Sequence, residues 1–136
     1  MRVLIVQSNV ALGNIWQRHL QRLGATVEIA LTGTEAVKKI ETITYDVIVL
    51  DLVLGEGSAL TVGDVAFFRQ PDANLIYVTD TTFFSDGSIF AHSANARAFI
   101  ETNTPPGDLA AIVQHYGNDA TPANVVRKSP VRGLSG

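Results

Sequence analysis

Polar side chains stand where the short apolar runs of this sequence end. Asp51 directly follows the third of five such runs, and Thr79 follows the fourth. Gln7 and Ser8 come after the first run, and Thr102 comes shortly after the fifth. Carboxylates are the anionic ligands that Mg²⁺ prefers, whereas amides and hydroxyls supply only neutral ligands. Gln7 and Ser8 therefore offer only neutral ligands, and we expect Asp51 alone to make a poor Mg²⁺ site.

Other kinds of reactive site are excluded or unsupported by the sequence. The chain has no cysteine, so disulfides, thiolate metal sites and a cysteine nucleophile are excluded. The three histidines, His19, His92 and His115, are scattered and have no metal-ligand spacing. No nucleophile–base pair is visible. We therefore predict no metal centre and no enzymatic activity.

The apolar runs alternate with stretches that have helical spacing. Most of the runs are continuous, which is typical of strands buried on both faces of a parallel sheet. Ser8 and Asn9 are candidate caps of the first helix, Gly24 is placed to end it, and Thr32 with Glu35 has capping-box spacing. The predicted strands lie at 3–6, 26–30, 47–50, 75–78 and 98–100. The predicted helices follow from residues 9, 32, 59, about 85 and 104. The last helix is expected to have Pro105 as its first residue and Gly117 as its end.

Five successive β–α units predict a flavodoxin-like three-layer α/β sandwich. Right-handed crossovers would place its parallel five-stranded sheet in the order 2-1-3-4-5. The functional crevice would then lie at the carboxyl ends of strands one and three. We assign residues 1–117 to this single domain and residues 118–136 to a flexible, locally basic tail, in which a solvated role is favoured over a binding motif.

Composition limits the environment and the partners. The chain has 136 residues, of which 46% are hydrophobic, and this suffices for one domain with a real core. A net charge of −3 does not favour nucleic-acid binding. No signal peptide and no membrane span are visible, so we expect a cytoplasmic protein. Only 17% of the residues are charged, which weakly suggests that a partner covers some of the surface.

The ordered motifs resemble those of response-regulator receiver domains. The resemblance covers about residues 2–116 and is carried by Leu-Ile-Val in the first strand, Val-Ile-Val-Leu-Asp51-Leu in the third, Val-Thr79 after the fourth and Ala-Arg-Ala-Phe99-Ile at the fifth. It implies that Asp51 occupies the position of the phosphoryl acceptor. It also implies that Thr79 would hydrogen-bond the phosphoryl group and that Phe99 would be the aromatic that rotates with the switch.

Several positions depart from the receiver pattern. Gln7 and Ser8 stand where the family has the acidic pair that holds Mg²⁺, and Thr102 stands where it has a lysine. Gly55 replaces the usual proline. Phosphoryl transfer to a carboxylate gathers negative charge, which needs nearby cations for stabilisation. We therefore expect an atypical pseudo-receiver that binds Mg²⁺ weakly or not at all.

The leading hypothesis is a single-domain signalling module of two-component or phosphorelay pathways that acts by protein–protein contact. Its expected partners are a histidine kinase, a phosphotransfer protein or another signalling protein, and a homodimer is possible. Phe83, Phe84 and Phe90 form the candidate partner surface. Membrane and nucleic-acid partners are not expected.

Two alternatives stay open at this point. A histidine kinase could phosphorylate Asp51, which would make the chain a conventional phospho-switch. Alternatively, the same fold could bind flavin or another small molecule. The loop at 7–12 lacks the glycine-rich character that a phosphate-binding loop would need, which disfavours the second alternative.

Overall fold

A computed structural model of the chain describes residues 1–54, 59–79 and 96–119, which contain five strands and four helices. None of these helices is both long and apolar enough to cross a membrane. In chain order the elements are β1 (Arg2–Val6), α1 (Val10–Arg22), β2 (Thr26–Ala30), α2 (Gly33–Thr42), β3 (Val47–Asp51), α3 (Ala59–Arg69), β4 (Asn74–Thr79), β5 (Ala96–Glu101) and α4 (Pro106–Asp119).

The five strands form one parallel sheet in the order β2-β1-β3-β4-β5, which confirms the predicted topology. Every residue of β3 and β4 is buried, as expected for central strands covered on both faces. β5 is an edge strand with a register shift opposite Leu75 and Ile76, and most of its residues are only partly buried.

Alternate residues of the strands contribute to two separate hydrophobic cores. Val3 and Ile5 of β1 pack with α1 and α4, whereas Leu4 and Val6 pack with α2 and α3. This alternation follows from the two-residue period of a strand. The sheet is therefore the middle of three layers. The loops that carry the polar residues lie at its carboxyl edge.

Local capping agrees largely with the sequence. Asn9 Oδ1 accepts from the Leu12 N–H at 3.1 Å, so Asn9 rather than Ser8 caps α1. Thr32 Oγ1 accepts from the Glu35 N–H at 3.1 Å at the start of α2. Gly24 has a φ of 90°, a left-handed conformation that favours glycine after a helix end.

Two local predictions about the last helix need correction. The last helix begins at Pro106, not Pro105, and it continues past Gly117 to Asp119. Gly117 is buried so closely against Met1 that a side chain there would overlap it, so this glycine serves packing rather than termination. The helix predicted from about residue 85 lies outside the described residues.

Candidate functional site

The crevice lies where β1 and β3 end side by side. Val6 pairs with Leu50 in the sheet, so the next residues along the two strands, Gln7 and Asp51, emerge together. Asp51 is 7% exposed and Gln7 is 2% exposed. The candidate site is therefore a buried carboxylate beside a buried amide, and not a solvated surface aspartate.

A short hydrogen bond joins these two side chains. Gln7 Nε2 donates to Asp51 Oδ2 at 2.6 Å, and Gln7 Oε1 accepts from the Asn9 N–H at 3.0 Å. Reversing the amide would put its oxygen against the carboxylate and its NH₂ against a backbone N–H, so both contacts would become repulsive. The two partners therefore fix the amide with its donor towards Asp51.

The second carboxylate oxygen also receives a donor. Asp51 Oδ1 accepts from the Val53 N–H at 2.8 Å, in a turn that the side chain makes with its own following backbone. The Leu52 N–H donates to the Val78 carbonyl at 2.9 Å, which holds this turn against β4. Both oxygens of the buried carboxylate are thus hydrogen-bonded, which offsets part of the cost of burying it.

Thr79 and Thr102 lie on the β4–β5 side of the crevice. Asp51 pairs with Val78 in the sheet, so Thr79 is the next residue along β4 and lies at the same carboxyl edge. Thr79 is buried, and its carbonyl accepts from the Thr102 N–H at 2.8 Å. Thr102 and Ser8 are both partly buried. Gln7, Ser8, Thr79 and Thr102 thus lie at the same carboxyl edge of the sheet as Asp51.

Phe99 packs on an aromatic neighbour, Tyr77, that the sequence pattern does not indicate. Its ring stacks on Tyr77 with centroids 5.3 Å apart and an interplanar angle of 23°. Tyr77 is fully buried in β4, and a Cβ on Gly63 of α3 would overlap its hydroxyl. Phe99 is therefore connected through Tyr77 to α3, as well as lying in β5.

The polar groups described at the crevice do not fit Mg²⁺. The Gln7 amide directs its NH₂ group, not its oxygen, towards Asp51, and its oxygen is engaged by Asn9. A divalent cation needs several oxygen ligands, preferably anionic ones. Within residues 1–54, 59–79 and 96–119, no three His, Asp or Glu side chains form a group that could hold a metal ion.

Some predicted features are untested, and one contact was missed. Phe83, Phe84, Phe90 and Gly55 lie outside the described residues, so the predicted partner surface stays a prediction. The resemblance presents Gln7 only as a lost Mg²⁺ ligand, whereas the structure shows it as a donor to Asp51. The signal was available, because both residues end neighbouring strands and an amide beside a carboxylate offers an N–H.

Comparisons with known proteins agree on the architecture. No protein-family model and no curated protein sequence matches the chain. A response regulator receiver domain protein from Methanospirillum hungatei is 27% identical with a TM-score of 0.79, and the alignment covers 88% of this chain and 94% of that one. The response regulator protein TrrA from Thermotoga maritima, solved in complex with Mg²⁺-BeF, is 25% identical with a TM-score of 0.73, covering 85% and 97%.

One similar structure carries the name of an enzyme. An adenylate cyclase from Rhodopirellula baltica has a TM-score of 0.78 at 18% identity, and the alignment covers 88% of each chain. At this identity the likeness shows the fold alone. The parallel sheet in the order 2-1-3-4-5, the crevice aspartate at the end of β3 and the receiver neighbours agree with one another. This chain therefore has the fold of response-regulator receiver domains and is similar to them.

Proposed function

We propose that this chain is an atypical receiver module that signals by protein–protein contact, with weak or no Mg²⁺-dependent phosphorylation. The receiver fold supports a response-regulator role in two-component signalling. The observation that carries the finer proposal is the hydrogen bond from Gln7 Nε2 to Asp51 Oδ2. It supplies a neutral donor at the place where the family has an acidic metal ligand.

The hydrogen bond from Gln7 does not give Asp51 the charge stabilisation that phosphoryl transfer needs. A carboxylate that takes up a phosphoryl group must approach an anion, and the developing charge needs cations to stabilise it. An amide N–H offers only a partial positive charge. Thr102 offers a hydroxyl where the family has a lysine. The electrostatic assistance for the reaction is therefore reduced at two positions.

The same contacts favour a stable resting pocket. A buried carboxylate without a charged partner is costly, but hydrogen bonds to its oxygens reduce that cost. The Gln7 amide and the Val53 N–H supply them. The replacement of the acidic pair and the lysine is thus electrostatically consistent, since removing two negative groups and the cations that balance them leaves one satisfied carboxylate.

Contact with a histidine kinase, a phosphotransfer protein or another signalling protein would then be independent of phosphorylation. A non-enzymatic role in the cytoplasm is part of the same proposal. Phe83, Phe84 and Phe90 remain the proposed partner surface, and they are also where a homodimer would form. Replacing Phe83 and Phe84 by serine should weaken partner binding or change the oligomeric state, and unchanged behaviour would remove this surface from the proposal.

A Mg²⁺ titration followed by amide chemical shifts tests the pocket. We expect no saturable shifts at sub-millimolar Mg²⁺ in the wild type, and new saturable shifts near Asp51 in the Gln7→Asp/Ser8→Asp variant. That variant restores two anionic ligands at the family's positions and serves as the positive control. Tight, saturable binding by the wild type, lost in Asp51→Asn, would refute the proposal.

A conventional phospho-switch is the second candidate, and the positions of two residues favour it. Asp51 ends β3 and Thr79 ends β4, as the acceptor and its hydroxyl partner do in the family that the sequence resembles. Partner binding distinguishes the two functions. A phospho-switch requires binding to change after treatment with a phosphodonor, whereas the contact module binds equally in the wild type and in Asp51→Asn.

A further inference from the structure

Two neighbouring phenylalanines are exposed at the end of α3. Phe67 is 54% exposed and Phe68 is 81% exposed. Single exposed apolar side chains are common, but two adjacent aromatic rings on one helix end leave a contiguous apolar area in water. The rest of α3 does not share this character, because Val62 and Ala66 are buried against the sheet.

Carboxylates bracket these rings. Asp64 lies one turn before Phe68 on α3, and Asp72 lies in the turn that follows the helix, and both are exposed. The cation next in sequence, Arg69, is directed to Glu41 of α2 at 3.7 Å and has its guanidinium 5.9 Å from the Phe68 ring centroid. The α3 patch, defined as Asp64, Phe67, Phe68 and Asp72, is therefore apolar at its centre and acidic at both ends.

The segment after α4 has the complementary pattern. Val125 and Val126 are followed directly by Arg127 and Lys128. Residues 120–136 contain three cationic side chains and no anionic one, whereas residues 1–119 contain seven cationic and thirteen anionic side chains, a net charge of −6. The basic segment is thus attracted to the domain as a whole. Its two apolar residues followed by two cations are complementary to the aromatic centre and the acidic ends of the α3 patch.

The last turns of α4, which precede this segment, contact the strand that follows α3. Asn74 Nδ2 donates to the Tyr116 carbonyl at 2.7 Å, so the last turns of α4 meet the first residue of β4. Asn74 is six residues after Phe68, and these six residues include the tight turn in which the Ala73 N–H donates to the Gln70 carbonyl. From Asp119, a stretch of six or seven residues reaches up to about 20–25 Å when extended, which is the reach available to Val125 and Val126.

We propose that residues 125–128 of this chain dock on the α3 patch. Val125 and Val126 cover the rings of Phe67 and Phe68, and the basic pair that follows lies against the carboxylates of the patch. A second copy of the domain is a poorer occupant of the same surface, because a two-fold contact would bring two acidic patches together. This inference does not depend on whether Asp51 is phosphorylated.

Paramagnetic relaxation tests the docking in the intact chain. The chain has no cysteine, so Ser129→Cys gives a single site for a nitroxide label next to Lys128. We expect loss of amide peak intensity concentrated at residues 64–72, weakened by added salt because the charged groups are exposed. A uniform loss of peak intensity over the whole domain, or no loss of peak intensity at residues 64–72, would overturn the proposal.

Variants and a mixing experiment separate this contact from others. Val125→Ser/Val126→Ser and Phe67→Ser/Phe68→Ser should each restore the peak intensities at 64–72. Val10→Ser, at a residue that is 53% exposed on α1, is the matched control and should leave them reduced. Retained loss in either double variant would contradict the proposal. Loss that persists when labelled chains are mixed with isotope-enriched unlabelled chains would show that a second copy is the occupant.

Discussion

Gln7 Nε2 lies 2.6 Å from Asp51 Oδ2, and it donates a hydrogen bond to the carboxylate inside the crevice between β1 and β3. Hydrogen bonds to a charged acceptor are shorter and stronger than those between neutral groups. The bond joins residues 44 positions apart in sequence, and it does so with both side chains buried. It therefore contributes to the stability of the domain as well as to the chemistry of the pocket.

Gln7→Met should lower the free energy of unfolding by about 1–3 kcal/mol. Methionine has nearly the same length but no donor, so Asp51 Oδ2 would lose this hydrogen bond inside a buried site. Urea unfolding followed by the fluorescence of the single tryptophan, Trp16, measures the change. In an Asp51→Asn background the same substitution should cost less, because the acceptor is neutral. An equal cost in both backgrounds would show that the charged hydrogen bond does not carry the effect.

Gly63→Ala should destabilise the domain, although alanine is the better helix former. A Cβ at this position of α3 would overlap the Tyr77 hydroxyl and lie 3.3 Å from Leu75 Cδ2. Overpacking of this kind costs about 1–3 kcal/mol. Gly107→Ala is the control, because it lies in α4 with nothing within 4 Å of the added carbon, and there the substitution should be neutral or stabilising.

The coupling between α3 and β4 can be tested in the same series. Tyr77→Phe removes the hydroxyl that the new Cβ would meet, so Gly63→Ala should cost less in that background. Thermal or urea unfolding of the two single variants and the double variant gives the interaction energy. Additive effects would mean that the Tyr77 hydroxyl does not explain the cost of replacing Gly63.

Stability should fall at alkaline pH because of Tyr45. Burial raises the pKa of Tyr45 from 10.0 to about 12, and the charge of Glu28 adds to the rise while Arg2 opposes it. The folded state therefore holds the phenol proton more tightly than the unfolded chain. This contribution is complete below the unfolded pKa of about 10 and is lost as pH rises through the folded pKa of about 12. Unfolding free energies measured across that range should decline less steeply in Tyr45→Phe, and parallel curves would contradict the assignment.

The sequence predicted the architecture because its strands are continuous apolar runs with helix caps between them. Asn9, Thr32 and Gly24 gave local signals whose physics does not depend on the rest of the fold. The parallel order 2-1-3-4-5 followed from the succession of β–α units and was confirmed. The same order places the polar ends of the strands at one edge of the sheet.

Contacts between distant side chains were not predictable in the same way. The amide of Gln7 has both a donor and an acceptor, and only the position of the Asn9 N–H decides which one faces Asp51. The stacking of Phe99 on Tyr77 depends on the register between β4 and β5, which contains a shift. The start of the last helix at Pro106 rather than Pro105 shows that two adjacent prolines do not determine which of them begins a helix.

The reactivity of Asp51 is tested most directly with a small-molecule phosphodonor. The wild type and the Gln7→Asp/Ser8→Asp/Thr102→Lys variant would be treated with and without Mg²⁺, and the intact mass would be measured. We predict little or no added phosphoryl mass on the wild type under either condition, and Mg²⁺-dependent addition to the variant that is abolished by Asp51→Asn. Rapid, Mg²⁺-dependent addition of one phosphoryl group to the wild type, also lost in Asp51→Asn, would contradict the account.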